Sequence, residues 1–161
     1  MGLYAQLTLA AAFWFVRILV IVMAIEENAL EHERPFNPAH DIFVFGSNEA
    51  GHHGAGAAAY AVKHAGARMG QGVGRTGNAY AIVTMSGLPR IREEVAHFID
   101  YAKAHPKLSF FVTRIGCGIA GYQDSAIAPL FKDAPQNCLL PLGWRDLAEL
   151  RAGLEPSPKV Y

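Results

Sequence analysis

The sequence predicts an α/β fold, a mostly parallel sheet with helices on both faces. Short apolar runs at residues 42–45, 79–84, 108–115 and 137–141 read as strands. Stretches of helical composition or spacing lie between them. No hairpin dipeptide is read between two strands, so each crossover must pass over a sheet face and cover it.

Bulk composition bounds the reading. The chain has 161 residues, 52% of them apolar and 17% charged, which fits one packed domain and excludes a disordered chain. Fourteen basic and fourteen acidic residues balance, so no global field draws in nucleic acid, and specific nucleic-acid binding is not expected. Phosphate recognition, where it exists, must come from local geometry. Cys117 and Cys138 form no C-x-x-C pair and read as two reduced thiols, as in a cytoplasmic protein.

Residues 1–39 stand apart. Residues 9–25 are apolar except for Arg17. As a membrane span the run is slightly short and carries a charge in its middle. As a signal peptide it lacks a basic residue before the run. The favoured reading is an over-long start with Met23 as the initiator, so a membrane is expected only if the segment is a real anchor. Residues 26–39 form a polar arm, residues 40–155 the ligand-binding domain, and residues 156–161 a tail.

Within the domain, the first strand runs into a loop, Gly-Ser-Asn-Glu-Ala-Gly-His-His-Gly-Ala-Gly, beginning at Gly46. Residues 57–67, rich in alanine, read as a helix. Residues 70–78 read as a second glycine-rich loop, a third ligand wall or a lid. Pro89 opens a helix to about His105, with Ile91, Val95, Phe98, Ile99 and Ala102 at helical spacing. After the third strand comes the loop Gly-Cys-Gly-Ile-Ala-Gly-Tyr, residues 116–122. Residues 125–131 read as a helix capped near Asp124 or Ser125, and residues 144–152 as a last helix stopped by Gly153.

In parallel sheets, ligands bind where loops leave the carboxyl ends of strands. The loops at 46–56 and 116–122 hold that place, and each precedes a helix whose free N–H groups can cradle an anion. The first loop is neither the dinucleotide pattern G-x-G-x-x-G nor a P-loop. The candidate ligand contacts in it are Gly46, Ser47, Asn48, His53, Gly54, Ala55 and Gly56. Asn48 can offer a donor and an acceptor to a ribose, or close an Asx-turn. In the second loop the candidates are Arg114, Gly116, Cys117, Gly118, Ile119, Ala120, Gly121 and Tyr122. Arg114 can pair with a carboxylate or a phosphate, and Tyr122 can stack on a base or close the core edge. Glu49 and Asp124 are the candidate catalytic carboxylates, against the readings of a solvated loop charge and a helix cap. His52 and His53 lack a carboxylate cluster beside them, and neither a metal nor a cofactor is expected.

The segment Phe-Phe-Val-Thr-Arg-Ile-Gly-Cys-Gly-Ile-Ala-Gly-Tyr-Gln-Asp, residues 110–124, resembles the strand and loop of macro domains, nearest the terminal ADP-ribose protein glycohydrolase branch. The first loop and its alanine-rich helix are similar to another wall of that family's cleft. The resemblance implies a three-layer α/β/α domain whose partner is ADP-ribose, a relative of it, or an ADP-ribosylated target, with hydrolysis of an ADP-ribosyl linkage as a further expectation. Two departures bear on catalysis. Ala120 stands where that branch keeps an aspartate, and Met85 and Ser86 stand where it keeps a lysine. Ala57, Ala58 and Ala59 occupy the region where another hydrolytic branch has an aspartate. A hydrolase acting on another nucleotide-derived metabolite and a non-enzymatic partner-binding module remain alternatives.

Overall fold

Strand β1, Asp41–Ser47, is apolar on both faces, which only a strand covered on both sides can be. In the computed structural model it is the centre of a five-stranded sheet. The structure describes residues 32–152, and the chain divides into two units between Pro35 and Phe36. The sheet and its helices belong to the second unit. The expectations for residues 1–31, for Gly153 and for the tail lie outside the described residues.

The element order is β1, α1 (Gly56–His64), β2 (Gly74–Thr76), β3 (Ala79–Val83), α2 (Leu88–Ala104), β4 (Ser109–Val112), α3 (Asp124–Ile127) running into a 3-10 turn (Ala128–Phe131), β5 (Cys138–Leu139) and α4 (Trp144–Ala152). The strands lie in the order β2-β3-β1-β4-β5. β3, β1, β4 and β5 run parallel, with Val44 opposite Tyr80 on one side and Val112 on the other.

Two apolar layers flank the sheet. Ile42, Val44, Tyr80, Ile82, Phe110 and Val112 pack with residues of α2, the 3-10 turn and Trp144. Phe43, Phe45, Ala79, Ala81 and Phe111 pack with Ala61 and Ala65 of α1 and its end. The β3 and α1 members of this layer are alanines, and its bulk comes from Phe43, Phe45 and Phe111. The result is the three-layer α/β/α arrangement expected from the sequence.

Four expectations need correction. Residues 70–78 are not a lid: they include β2, which forms an antiparallel hairpin with β3 through Gly77 and Asn78. Gly77 has φ +54° and Asn78 does not have positive φ, the pattern of a type II′ turn. The helix expected to reach residue 67 ends at His64, because Gly66 turns left-handed at φ +75° and the Ala67 N–H returns to the Ala61 carbonyl. The third strand stops at Val112, where the Thr113 N–H and hydroxyl both bind the Val44 carbonyl and the chain turns toward the cleft. The helix expected over residues 125–131 tightens to 3-10 form at Ala128, beside Pro129, which lacks the N–H of an α-helical bond. Among the described residues, no helix is long and apolar enough to cross a membrane.

Candidate functional site

The chain leaves β1 for β3 on one side and, through α2, returns to β4 on the other side. The carboxyl ends of β1 and β4 therefore diverge into loops on opposite walls of one crevice, the topological switch point of an open parallel sheet. A cleft of about 270 Å³ lies there. Its floor and walls come from Gly46 and Ser47 at the end of β1 and Asn48 after it, from Thr84 and Met85 after β3, and from Thr113, Arg114, Ile115 and Gly116 after β4. A Cβ on Gly46, in the floor, would lie 2.9 Å from the Thr84 hydroxyl and force that side chain to shift. A larger groove of about 400 Å³ lies between α2, the 3-10 turn and α4, away from the strand ends and lined by helix surfaces.

One end of the cleft is the start of α1. Ala55 is its N-cap residue, with extended backbone (φ −150°, ψ 166°), and it provides no side-chain cap. No acidic residue stands in the first turn. The first intrahelical bond is donated by Ala59 to the Ala55 carbonyl, which leaves the N–H groups of Gly56, Ala57 and Ala58 without a helical acceptor. All three residues line the cleft. The opposite wall is the tip of the second loop. That loop closes on itself through bonds from Tyr122 N–H to Gly116 O and from Gly121 N–H to Gly118 O. Gly118, Ile119 and Ala120 line the cleft, and their N–H groups take no part in those closures. Gly116 sits at φ +72°, and a Cβ there would press on Ile127 at 3.3 Å. Ile119 is 82% exposed at the rim and Met85 51% exposed.

The structure thus brings Gly46, Ser47, Asn48, Ala55, Gly56, Arg114, Gly116, Gly118, Ile119 and Ala120 to the cleft. His53, Gly54, Cys117, Gly121 and Tyr122 do not line it. Tyr122 packs against the core on the α2 side. Asn48 lines the cleft, but its amide is engaged within the loop: it accepts from the His52 N–H at 2.9 Å and donates to the His52 carbonyl at 3.1 Å. These bonds reach four residues along the chain rather than the two of an Asx-turn, and they occupy the amide that a ribose contact would need. His52, Ala57, Ala58, Thr84, Met85, Thr113 and Ile115 also line the cleft and were not among the expected ligand contacts; all but His52, which lies in mid-loop, stand just after a strand or at a helix start, and that position was the available signal.

Neither candidate catalytic carboxylate lines the cleft. Glu49 pairs with Arg90 of α2 at 3.2 Å and ties the first loop to that helix. Asp124 receives the Arg114 guanidinium in two bonds of 3.1 and 2.7 Å, and the Cys117 thiol at 3.3 Å. Burial pushes the Asp124 pKa up, but the bonds from Arg114 and Cys117 and the nearby Trp144 indole outweigh it and hold the carboxyl below its ordinary value. The Cys117 thiol is pushed up to about 12, by burial first and then by Asp124, so it is a thiol rather than a thiolate. Among the described residues, no group of three His, Cys, Asp or Glu side chains is placed to hold a metal ion.

The first loop rests on the chain before β2. A Cβ on Gly72 would collide with the Asn48 carbonyl oxygen, and one on Gly51 with the Gln71 backbone. Behind the same loop, His53 is buried, 5.0 Å edge-on from the Phe45 ring, with Nε2 2.9 Å from Ser47 Oγ. Burial, and then neighbouring His52, lower its pKa, so the ring is neutral near pH 7.

Comparisons with protein families, with characterised proteins and with solved structures found no match to this chain.

Proposed function

We propose that this domain binds a phosphorylated nucleotide of the ADP-ribose type in the cleft between the loops after β1 and β4. The observation that carries this reading is the pair of cleft walls whose main-chain N–H groups have no hydrogen-bond partner among the described residues: Gly56, Ala57 and Ala58 on one side, Gly118, Ile119 and Ala120 on the other. A helix start without a cap or an acidic residue favours an anion at that point. Two such walls suit two linked phosphates better than one. The resemblance of residues 110–124 to the macro-domain strand and loop supports the same ligand class. Glu49 and Asp124 are held in ion pairs outside the cleft, which favours binding over carboxylate-driven hydrolysis as its function.

Titration calorimetry and thermal shift with ADP-ribose, ADP and adenosine test this. ADP-ribose and ADP should bind at least about tenfold more tightly than adenosine, because hydrogen bonds to a charged group contribute about 1.5–3 kcal/mol each. Equal affinity for adenosine, or no heat and no shift at about millimolar ADP-ribose, would contradict the proposal.

A further inference from the structure

Ser47 is the last residue of β1 and lines the cleft. Its one hydroxyl proton has two acceptors in reach, the Asn48 carbonyl at 3.2 Å, to which it donates, and His53 Nε2 at 2.9 Å, to which it turns when the ring carries its proton on Nδ1. The shorter contact falls within the range expected of a nucleophile and its base. His53 is only 3% exposed, and its Nδ1 has no hydrogen-bond partner. A buried histidine with one ring nitrogen unsatisfied is costly as a purely structural element. Nothing else in the site as described uses it. We propose that Ser47 and His53 form a nucleophile–base couple that lets the cleft hydrolyse small carboxylic esters, an activity beyond ligand binding and one that requires no phosphate on the substrate.

The chemistry closes on these two side chains and water. The Ser47 Oγ–carbonyl carbon bond forms as the hydroxyl proton passes to His53 Nε2. The carbonyl oxygen gains negative charge in the cleft that the start of α1 also lines, where an N–H group of Gly56, Ala57 or Ala58 would stabilise it. The adduct collapses, the ester C–O bond breaks, and His53 returns the proton to the leaving alkoxide. Water then adds to the acyl-serine and gives its proton to His53. The carbon–Oγ bond breaks, Ser47 regains that proton, and an alcohol and a carboxylic acid have formed. Because Nδ1 faces no carboxylate, the imidazolium formed along the way lacks the support that a third member would give. Turnover is therefore expected to be slow, and covalent capture is the more sensitive readout.

The test treats the full chain with a fluorophosphonate probe and maps the adduct by peptide mass spectrometry, alongside hydrolysis of p-nitrophenyl acetate. The expected result is a single adduct on Ser47, absent in Ser47→Ala, with labelling slowed about a hundredfold in His53→Gln, the scale of a lost general base. No adduct on the wild-type protein, an adduct on another residue, or undiminished labelling of His53→Gln would overturn the couple. Mapping on the wild-type chain decides the question even if a variant misfolds. The outcome is independent of whether ADP-ribose binds.

Discussion

Asp124 holds Arg114 and Cys117 at once and thereby fixes both ends of the second loop's entrance. Because its folded pKa lies below the ordinary 3.8, its charged form stabilises the fold above about pH 4, and that contribution is lost as the pH falls through the folded value. Urea unfolding of Asp124→Asn is expected to show lower stability at pH 7 and a flatter decline below pH 4 than the wild type. A parallel decline in both would assign the acid sensitivity elsewhere. Gly116→Ala forces a Cβ into a left-handed residue and against Ile127, and a loss of about 1 kcal/mol or more is expected from denaturant midpoints. Residue roles of this kind were only partly legible. The sequence offered Arg114 a carboxylate partner, and Asp124, ten residues on, is one. The cap role read for Asp124 does not hold: Gln123 is the N-cap residue, and the Asp124 carboxylate is taken up by Arg114 and Cys117. The Glu49–Arg90 pair spans 41 positions, and an exposed charge carries no mark of its partner. His53 was indistinguishable from His52 in sequence, since only the turn of the loop decides which of two adjacent rings goes behind Phe45.

At the level of elements, period and punctuation located most of the fold. The spacing of Ile91, Val95, Phe98, Ile99 and Ala102 marked α2, and all five are buried. The hairpin escaped because β2 has three residues, Gly-Arg-Thr, with no apolar side chain to signal a strand. Its turn, Gly77-Asn78, was hidden inside a glycine-rich stretch. That stretch turns out to buttress the first loop. Gly72→Ala should therefore displace the Asn48 carbonyl, lowering the melting temperature and weakening ADP-ribose binding together. A variant that lost neither would show that the buttress yields freely. The start of α1 is the other element whose design reads as functional. Its N-cap, Ala55, supplies no side-chain acceptor, and the residues whose N–H groups have no helical acceptor, Gly56, Ala57 and Ala58, line the cleft.

For the whole molecule, balanced charge separates this account from electrostatic capture. With fourteen charges of each sign, and Arg114 already paired to Asp124, binding by main-chain N–H groups should depend only weakly on salt. Raising salt from about 50 to 500 mM should weaken ADP-ribose binding by less than about threefold, far below the change that several lysine–phosphate contacts would give. Topology supplies the rest: a parallel sheet with its switch between β1 and β4 places the two glycine-rich loops on facing walls, as their positions after strands implied. In the proposed binding mode the open N–H groups at the start of α1 hold the ligand's phosphates. Ala55→Asp tests it most directly, because it places a carboxylate beside those N–H groups. In parallel calorimetric titrations with ADP-ribose and thermal melts, the variant should stay folded while binding at least about tenfold more weakly than the wild type. A folded variant that binds ADP-ribose as tightly as the wild type would contradict this binding mode.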